Sequence, residues 1–222
     1  MTTTLLVMFD GRKDYLNRTM STLNKIRGID NIFINDDSGD VPMSTWLVQT
    51  YGAVGVTIKS SPSRSGFGGA IRNAWSELRK TDADYIFHLE QDFELTKTID
   101  VPMMIRVLED NENLVQLALR RQPWNDTEKK FGGIVESNPY AYHQRSDFLG
   151  NKWLEQRLFF TTNPTLYRAS LMDMEWPNES ESEGKFGIKL FEDPNKVTGY
   201  WGSRESGEWC FHIGDDRIGT GY

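Results

Sequence analysis

The chain has 222 residues, of which 38% are hydrophobic and 26% are charged, so its composition is globular and excludes disordered and fibrous proteins. Lys and Arg number 25 against 32 Asp and Glu, and the net charge of −7 argues against a protein that binds nucleic acid over its whole surface. The single cysteine, Cys210, excludes an internal disulfide and a thiolate zinc cluster.

The first half of the chain alternates predicted strands and helices. Residues 5–9 form a continuous apolar run, which predicts a strand buried on both faces. Apolar side chains then recur along one helical face between residues 16 and 26. This alternation predicts an α/β fold with a mostly parallel sheet and right-handed crossovers. Further strands are predicted at 31–35, 54–59, 84–89 and 114–119, with helices near 46–51, 70–78 and 101–108.

The second half is less regular and is rich in Pro, Asn and Trp. Its pattern predicts a strand at 157–161, helices near 168–174 and 184–191, and a last strand at 208–212. No linker or internal repeat interrupts the sequence. We therefore expect one domain over 1–222, in which 1–119 is a nucleotide-binding half and 120–222 shapes a second substrate site.

The beginning of the chain bears on its location. Residues 1–9 lack the basic flank and the long apolar run of a signal peptide. No stretch approaches the ~18 consecutive apolar residues of a membrane span. We expect a soluble, cytoplasmic protein without a membrane anchor.

Charged side chains directly follow three of the predicted strands. Asp10 and Arg12 follow the first strand, Asp36 and Asp37 the second, and Glu-Gln-Asp at 90–92 the fourth. One acidic strand end is typical of a helix cap or a solvated turn. Because ligands of open parallel sheets bind beyond the carboxyl ends of the strands, three such ends on one rim predict a ligand site.

The segment before the third predicted helix is rich in glycine. Its Gly66-Phe-Gly-Gly69 stretch lacks the complete G-x-G-x-x-G of dinucleotide-binding proteins, and the chain has no P-loop motif. Two interpretations stay open. The glycines either start a helix, or they offer backbone amides to a diphosphate together with Arg64 or Arg72.

Motifs in a fixed order carry a resemblance to a known family. They are the Asp-Asp-Ser-Gly-Asp turn at 36–40, the glycine-rich segment that ends in Asn73-Ala-Trp75, and Glu-Gln-Asp at 90–92. With the runs at 119–124, 157–164, 182–186 and 212–222, they resemble the GT-A glycosyltransferases of family-2 type, and within them the small soluble members of actinobacteria and their phages. The resemblance covers nearly the whole chain. It implies a Rossmann-like GT-A fold and inverting sugar transfer from a nucleotide-diphosphate sugar, with a UDP-sugar favoured as donor.

The resemblance also implies roles for the acidic strand ends. Asp36 and Asp37 match positions that hold the nucleotide base and ribose. Glu90 stands where the DxD motif of the family has Asp, a departure that puts a ribose contact in doubt. Asp92 matches the acid that binds Mn²⁺ or Mg²⁺ on the donor diphosphate, an ion that needs only one or two protein carboxylates. The remaining predicted donor contacts are Asp10, Arg12, Arg64, Gly66, Arg72 and Gln91.

Three further side chains are assigned by the resemblance. His212 matches a C-terminal metal ligand that would favour Mn²⁺; the alternative is a histidine packed among Trp209 and Phe211. Glu183 matches the general base that deprotonates the acceptor hydroxyl, with Glu181 in reserve. Acidic residues are also ordinary at the first turn of a helix, because they complement its dipole. The tail at 213–222 belongs to a C-terminal segment that we expect to close over metal and donor.

The acceptor is less defined than the donor. Basic and aromatic residues concentrate at 120–124, 129–130, 143–145 and 152–153, a mixture that suits a polypeptide, a glycan, or a DNA backbone with an extruded base. The phage-like resemblance makes a hydroxymethylpyrimidine in DNA or a virion protein the two candidates. Two alternatives to a glycosyltransferase are a nucleotidyltransferase-like enzyme and a non-catalytic module that binds sugar, nucleotide or nucleic acid. The loop at 10–13 is too short for the former, and the sequence gives no prediction of oligomeric state.

Overall fold

A nine-stranded sheet organises the protein in this computed structural model, which describes residues 1–214. In chain order the strands are β1 (Thr3–Phe9), β2 (Ile26–Arg27), β3 (Asn31–Asp36), β4 (Thr57–Ser60), β5 (Tyr85–Glu90), β6 (Phe93–Leu95), β7 (Ile99–Asp100), β8 (Leu114–Ala118), β9 (His143–Ser146), β10 (Lys152–Gln156), β11 (Thr165–Arg168), β12 (Val197–Trp201) and β13 (Cys210–His212). The helices are α1 (Lys13–Ser21), α2 (Val41–Tyr51), α3 (Gly66–Leu78), α4 (Val101–Glu109), α5 (Asp126–Phe131), α6 (Ile134–Ser137) and α7 (Ser182–Leu190).

The order of strands in the large sheet is β4-β3-β1-β5-β11-β8-β12-β10-β9. The first four are parallel, whereas β11 runs antiparallel between β5 and β8, and β10 and β9 are paired antiparallel to their neighbours. The predicted α/β class is confirmed, and the sheet is parallel in its first half and mixed in its second. The carboxyl ends of β1, β3 and β5 therefore meet at one edge.

Strand β1 shows how the sequence builds the two layers around the sheet. All seven of its residues are buried, as a strand covered on both faces requires. Leu5, Val7 and Phe9 face the side on which α1, α2 and α4 pack, and Leu6 and Met8 face the side of α3 and α7. This alternation follows the two-residue period of a strand.

The strand predicted at 157–161 is wrong, because these residues form a loop between β10 and β11. Two buried glutamines bind the hydrogen-bonding groups that a neighbouring strand would use. Gln116 donates to the carbonyl of Thr161 (2.6 Å) and accepts from its N–H (3.2 Å). Gln156 donates to the carbonyl of Phe159 (2.8 Å). The helix predicted near 168–174 is a short 3₁₀ turn, Ala169–Asp173.

Within residues 1–214, no helix combines the length and the apolar character needed to cross a membrane.

Candidate active site

A cleft of about 820 Å³ opens at the edge where the parallel strands end. Its walls come from the turn after β5, the start of α3 and the segment that leads into α7. A cleft at this edge is the usual ligand site of an open α/β sheet. The predicted site residues that line it are Gly66, Arg72, Glu90, Asp92, Glu181, Glu183 and His212.

Asp92 lies at the base of the cleft and is almost fully buried, with 3% of its surface exposed. Its Oδ2 atom accepts a hydrogen bond from Nη2 of Arg12 (2.7 Å) and lies 3.3 Å from Nε2 of His212. Burial raises the pKa of Asp92, but His212 and Arg12 outweigh burial and hold it below its ordinary value. Its Oδ1 atom is buried and has no hydrogen-bond partner within the described residues.

Arg12 joins two of the predicted donor residues. Its Nε donates to Oδ1 of Asp10 (3.1 Å) while its Nη2 binds Asp92. Burial lowers the pKa of Arg12, but the two carboxylates raise it to a net value above the ordinary one. The side-chain amide of Gln91 also donates to Asp10 and accepts from its N–H (3.1 Å). The structure thus joins Asp10, Arg12, Gln91 and Asp92 in one hydrogen-bond network.

His212 reaches Asp92 because β13 pairs antiparallel with β6, which sets His212 opposite Phe93. Its ring lies between Phe93 (4.7 Å between centroids) and Trp124 (4.3 Å), and not among Trp209 and Phe211. Gln122 holds its backbone by accepting from the N–H (2.9 Å) and donating to the carbonyl (2.7 Å). No pattern in the sequence indicated this role of Gln122.

The surroundings of Asp92 and His212 fit a divalent cation. The unpartnered Oδ1 of Asp92 and the imidazole of His212 are a donor pair that suits Mn²⁺. At Gly214 a Cβ atom would lie 2.5 Å from Oδ2 of Asp92 and 3.1 Å from Nε2 of His212, so only glycine leaves this space open. Residues 1–214 contain no group of three or more His, Cys, Asp or Glu side chains placed to hold a metal, so phosphate and water would complete the coordination.

The two candidate bases differ in how they are held. Glu181 is exposed and takes a left-handed conformation (φ 57°) just before α7. Glu183, in the first turn of α7, accepts hydrogen bonds at Oε1 from the N–H (2.5 Å) and hydroxyl (3.0 Å) of Thr162. Burial raises the pKa of Glu183, and the hydrogen bonds from Thr162 offset only part of this effect. Of the two, Glu183 is the fixed carboxylate at the cleft.

The glycine-rich segment is the first turn of α3. Gly66 opens this helix with a φ of +72°, which favours glycine. Arg72 on the same helix donates to the carbonyl of Pro177 (2.9 Å) and so connects α3 to the segment before α7. Arg64 donates to the carbonyl of Asp10 (2.5 Å) beside the cleft.

Asp36 and Asp37 are buried, and neither is among the residues that line the cleft. Asp36 accepts hydrogen bonds from the N–H of Ser38 (2.9 Å) and the hydroxyl of Ser44 (2.6 Å). Asp37 accepts from the N–H groups of Ser65 and Gly66, both at 3.0 Å, and so fixes the start of α3. Their contact with base and ribose stays a prediction.

Sequence patterns missed one strong ion pair at the cleft. Arg121 lines the cleft and donates twice to the buried carboxylate of Glu128 (2.7 and 3.2 Å). Burial raises the pKa of Glu128, but Arg121 and the N–H of Trp124 bring it below its ordinary value. Trp124 stands at the same rim, with 37% of its surface exposed. In the sequence, only the Arg-Gln-Pro-Trp run at 121–124 pointed to this part of the cleft.

The other predicted basic and aromatic clusters are divided between buried, paired and exposed positions. Arg120 is buried and binds Glu136 (3.4 Å), and Trp153 is buried on β10. Arg145 on β9 pairs with Glu155 (2.9 Å). Lys129, Lys130 and Lys152 of the same predicted clusters are exposed.

Comparisons with known proteins agree with this architecture. The model of the family described as Glycosyl transferase family 2 matches residues 4–174, which include the 90–92 turn but not Glu181, Glu183 or His212. No curated protein sequence matches the chain significantly.

Solved structures resemble the chain in fold. S. aureus TarS 1-349 in complex with UDP-GlcNAc is 14% identical and superposes with a TM-score of 0.65, covering 100% of this chain and 60% of that one. The mannosyltransferase PcManGT from Pyrobaculum calidifontis, in complex with GDP-Man and Mn²⁺, is 9% identical with a TM-score of 0.65, covering 97% and 58%. CMP:2-keto-3-deoxy-manno-octonic acid synthetase with CTP is 12% identical with a TM-score of 0.53, covering 90% and 89%. The chain thus spans about 60% of the length of TarS 1-349, and the GT-A type of fold is confirmed.

Proposed function

Because this chain belongs to glycosyl transferase family 2, we propose that it transfers a sugar from a nucleotide-diphosphate sugar to a hydroxyl group of an acceptor, with inversion at the anomeric carbon. The observation that carries this proposal is the shared cleft, in which Asp92 and His212 lie on one wall and Glu183 on another. A buried acid for a cation and a second carboxylate for a proton are the two groups that this reaction requires.

The donor would bind at the wall formed by the turn after β5. Asp92 and His212 would hold Mn²⁺ or Mg²⁺, whose positive charge would stabilise the leaving nucleoside diphosphate. Arg12 and Arg72 supply guanidinium groups nearby, and Nη1 of Arg12 is buried without a hydrogen-bond partner in the described chain. Structures of this fold hold UDP-GlcNAc in TarS and GDP-Man with Mn²⁺ in PcManGT, and we favour a UDP-sugar here.

Glu183 would act as the general base. It takes the proton of the acceptor hydroxyl while that oxygen forms a bond to the anomeric carbon, and the bond from this carbon to the diphosphate oxygen breaks. Its raised pKa makes the carboxylate a stronger base than an ordinary glutamate at neutral pH. Glu181, exposed and without a hydrogen bond from its side chain to the helix start, is the weaker candidate.

The charge of the cleft favours a protein or glycan acceptor over DNA. The segment that leads into α7 contributes Glu179, Glu181 and Glu183 to the cleft wall, and a DNA backbone would meet these acids. The guanidinium of Arg121 in the cleft is already paired with the carboxylate of Glu128. The phage-like acceptor in DNA is therefore the second candidate.

A donor panel tests the proposal. Purified protein is incubated with UDP-glucose, UDP-GlcNAc and GDP-mannose, with Mn²⁺ or chelator, and released nucleoside diphosphate is measured. We expect release from one of these donors in the presence of Mn²⁺ only. Pyrophosphate release from a nucleoside triphosphate and a sugar acid would instead support the nucleotidyltransferase alternative. The fold of CMP:2-keto-3-deoxy-manno-octonic acid synthetase, which resembles that of this chain, is the reason to include this arm.

A further inference from the structure

One residue supplies two hydrogen bonds to the same oxygen of Glu183. The N–H and the hydroxyl of Thr162 donate to Oε1 at 2.5 and 3.0 Å, and Thr162 is itself buried. We propose that Thr162 is a positioning residue, which fixes the Glu183 carboxylate at the cleft and favours its charged form. The proposal rests on the proposed role of Glu183 as general base.

The loop that carries Thr162 is held by the buried sheet. The Gln116 side chain on β8 binds both the N–H and the carbonyl of Thr161, the residue before it. The Thr161 hydroxyl in turn accepts from the N–H of Asn163 (3.2 Å). Because Gln116 is buried, its side chain holds the backbone of this loop in place as a neighbouring strand would. Thr162 is thus presented to Glu183 from a fixed scaffold.

The helix that carries Glu183 approaches this loop as closely as glycine permits. Gly187 lies one helical turn after Glu183, and a Cβ atom there would be 3.0 Å from the backbone nitrogen of Phe160. Phe186 packs on Phe160 at the same contact, with 4.8 Å between ring centroids. The distance between Glu183 and Thr162 is therefore fixed on the loop side by Gln116 and on the helix side by the close contact of Gly187 with Phe160.

Burial and its neighbours act on the charge of Glu183 in opposite directions. Burial disfavours the carboxylate, whereas the hydrogen bonds from Thr162 and Thr161 and the charge of Arg121 favour it. Burial and the nearby charges of Asp92 and Glu183 raise the pKa of the neighbouring Glu90 to about 8, and Thr162 also hydrogen-bonds to that carboxyl. Thr162 adds donors that stabilise the charged form specifically. Loss of its hydroxyl should therefore raise the pKa of Glu183, whereas a loss of packing that admitted water would lower that pKa.

The experiment compares wild type with Thr162→Val, Thr162→Ser and Glu183→Gln. Glutamate carboxyl ¹³C resonances are titrated in the ligand-free protein, and Glu183→Gln assigns the resonance of Glu183. We expect Thr162→Val to raise the pKa of Glu183 by about 1 or more, since a hydrogen bond to a charged group is lost, and Thr162→Ser to restore it. On the active donor of the panel, Thr162→Val should lower kcat about 10- to 100-fold with unchanged donor affinity.

A second variant covers the case in which Thr162→Val does not fold. Gly187→Ala keeps the Thr162 hydroxyl but forces α7 away from the loop, so it should shift the pKa in the same direction. An unchanged pKa and kcat in Thr162→Val, beside an inactive Glu183→Gln, would overturn the positioning role and leave the base in place. Full activity of Glu183→Gln would overturn the base itself, which separates the two failures.

Discussion

Nε2 of His212 lies 3.3 Å from Oδ2 of Asp92, although the two residues are far apart in the sequence. The short β6–β13 pair creates this contact by setting His212 beside Phe93, one residue after Asp92. A carboxylate and an imidazole at this distance, at the base of a cleft, are the basis of the proposed metal site.

The first prediction concerns metal binding. Asp92→Asn should abolish Mn²⁺ binding, measured by electron paramagnetic resonance of free Mn²⁺, because it removes the negative charge of the main ligand. His212→Ala should weaken binding by a smaller factor, about 10-fold or more if the imidazole is a ligand. Asp82→Asn, at an exposed position, is the matched control and should bind as wild type does. Undiminished Mn²⁺ affinity in Asp92→Asn would rule out this site.

The second prediction concerns Arg12, whose guanidinium forms an ion pair with Asp92 (2.7 Å). Arg12→Gln removes one of the two partners of the buried Asp92 carboxylate, leaving His212, and should lower the free energy of unfolding by up to about 3 kcal/mol. Because Mn²⁺ can replace the lost charge, it should stabilise Arg12→Gln more than wild type in urea unfolding. Equal stabilisation of the two proteins would show that Arg12 and the cation do not share Asp92.

The third prediction concerns the pH dependence of transfer. A general base works only when deprotonated, and burial raises the pKa of Glu183. The rate should therefore fall with decreasing pH at a higher pH than the ordinary glutamate value of about 4.3 would give. A kcat profile measures this acidic limb. The remaining activity of Glu183→Gln should be lower by ~10²–10⁴-fold and should lack the limb; a limb that persists there belongs to another group.

The fourth prediction concerns stability and His88, which is buried on β5 with a pKa lowered to about 3 by desolvation. At pH above about 6.5 the imidazole is neutral in both the folded and the unfolded chain. As the pH falls from there toward 3, only the unfolded chain gains the proton, so stability is lost. His88→Gln should remove about 2 kcal/mol of the difference in unfolding free energy between pH 6.5 and pH 5. His143→Gln, on exposed β9, should leave that difference unchanged.

Much of the architecture follows from local patterns, and the exceptions have long-range causes. The strand at Thr3–Phe9 and the helix at Val101–Glu109 were predictable because burial follows the period of each element. The loop at 157–161 was not, because Gln116, far away in sequence, binds the backbone of Thr161. The apolar residues of 157–161 therefore predicted a strand, whereas the backbone of this loop is bound by a glutamine side chain and not by a neighbouring strand.

The candidate site likewise combines residues that local patterns predict with contacts that depend on distant parts of the chain. Strand ends gave Asp10, Arg12 and Asp92 as members of one site, since parallel strands end at one edge. The same reasoning placed Asp36 at the ligand; its carboxylate binds Ser38 and Ser44, and its contact with the ligand stays a prediction. The Thr162–Glu183 contact depends on the packing of α7 against a loop, which no spacing in the sequence reveals.

The fifth prediction concerns the acceptor. Neutralising many DNA phosphates makes binding fall steeply with salt, so transfer to hydroxymethylated duplex DNA should drop sharply between about 50 and 200 mM salt if DNA is the acceptor. We expect no transfer, because the acidic residues of the cleft wall oppose the phosphates. Salt-sensitive transfer to such DNA would reverse our preference for a protein or glycan.

The most direct test of the account compares nucleoside diphosphate release from the active nucleotide sugar by wild type, Asp92→Asn, Glu183→Gln and the control Asp82→Asn. The account predicts Mn²⁺-dependent release by wild type and Asp82→Asn, and loss of release by both cleft variants while their thermal unfolding shows a folded protein. Equal release by all four proteins would contradict the claim that this cleft transfers the sugar.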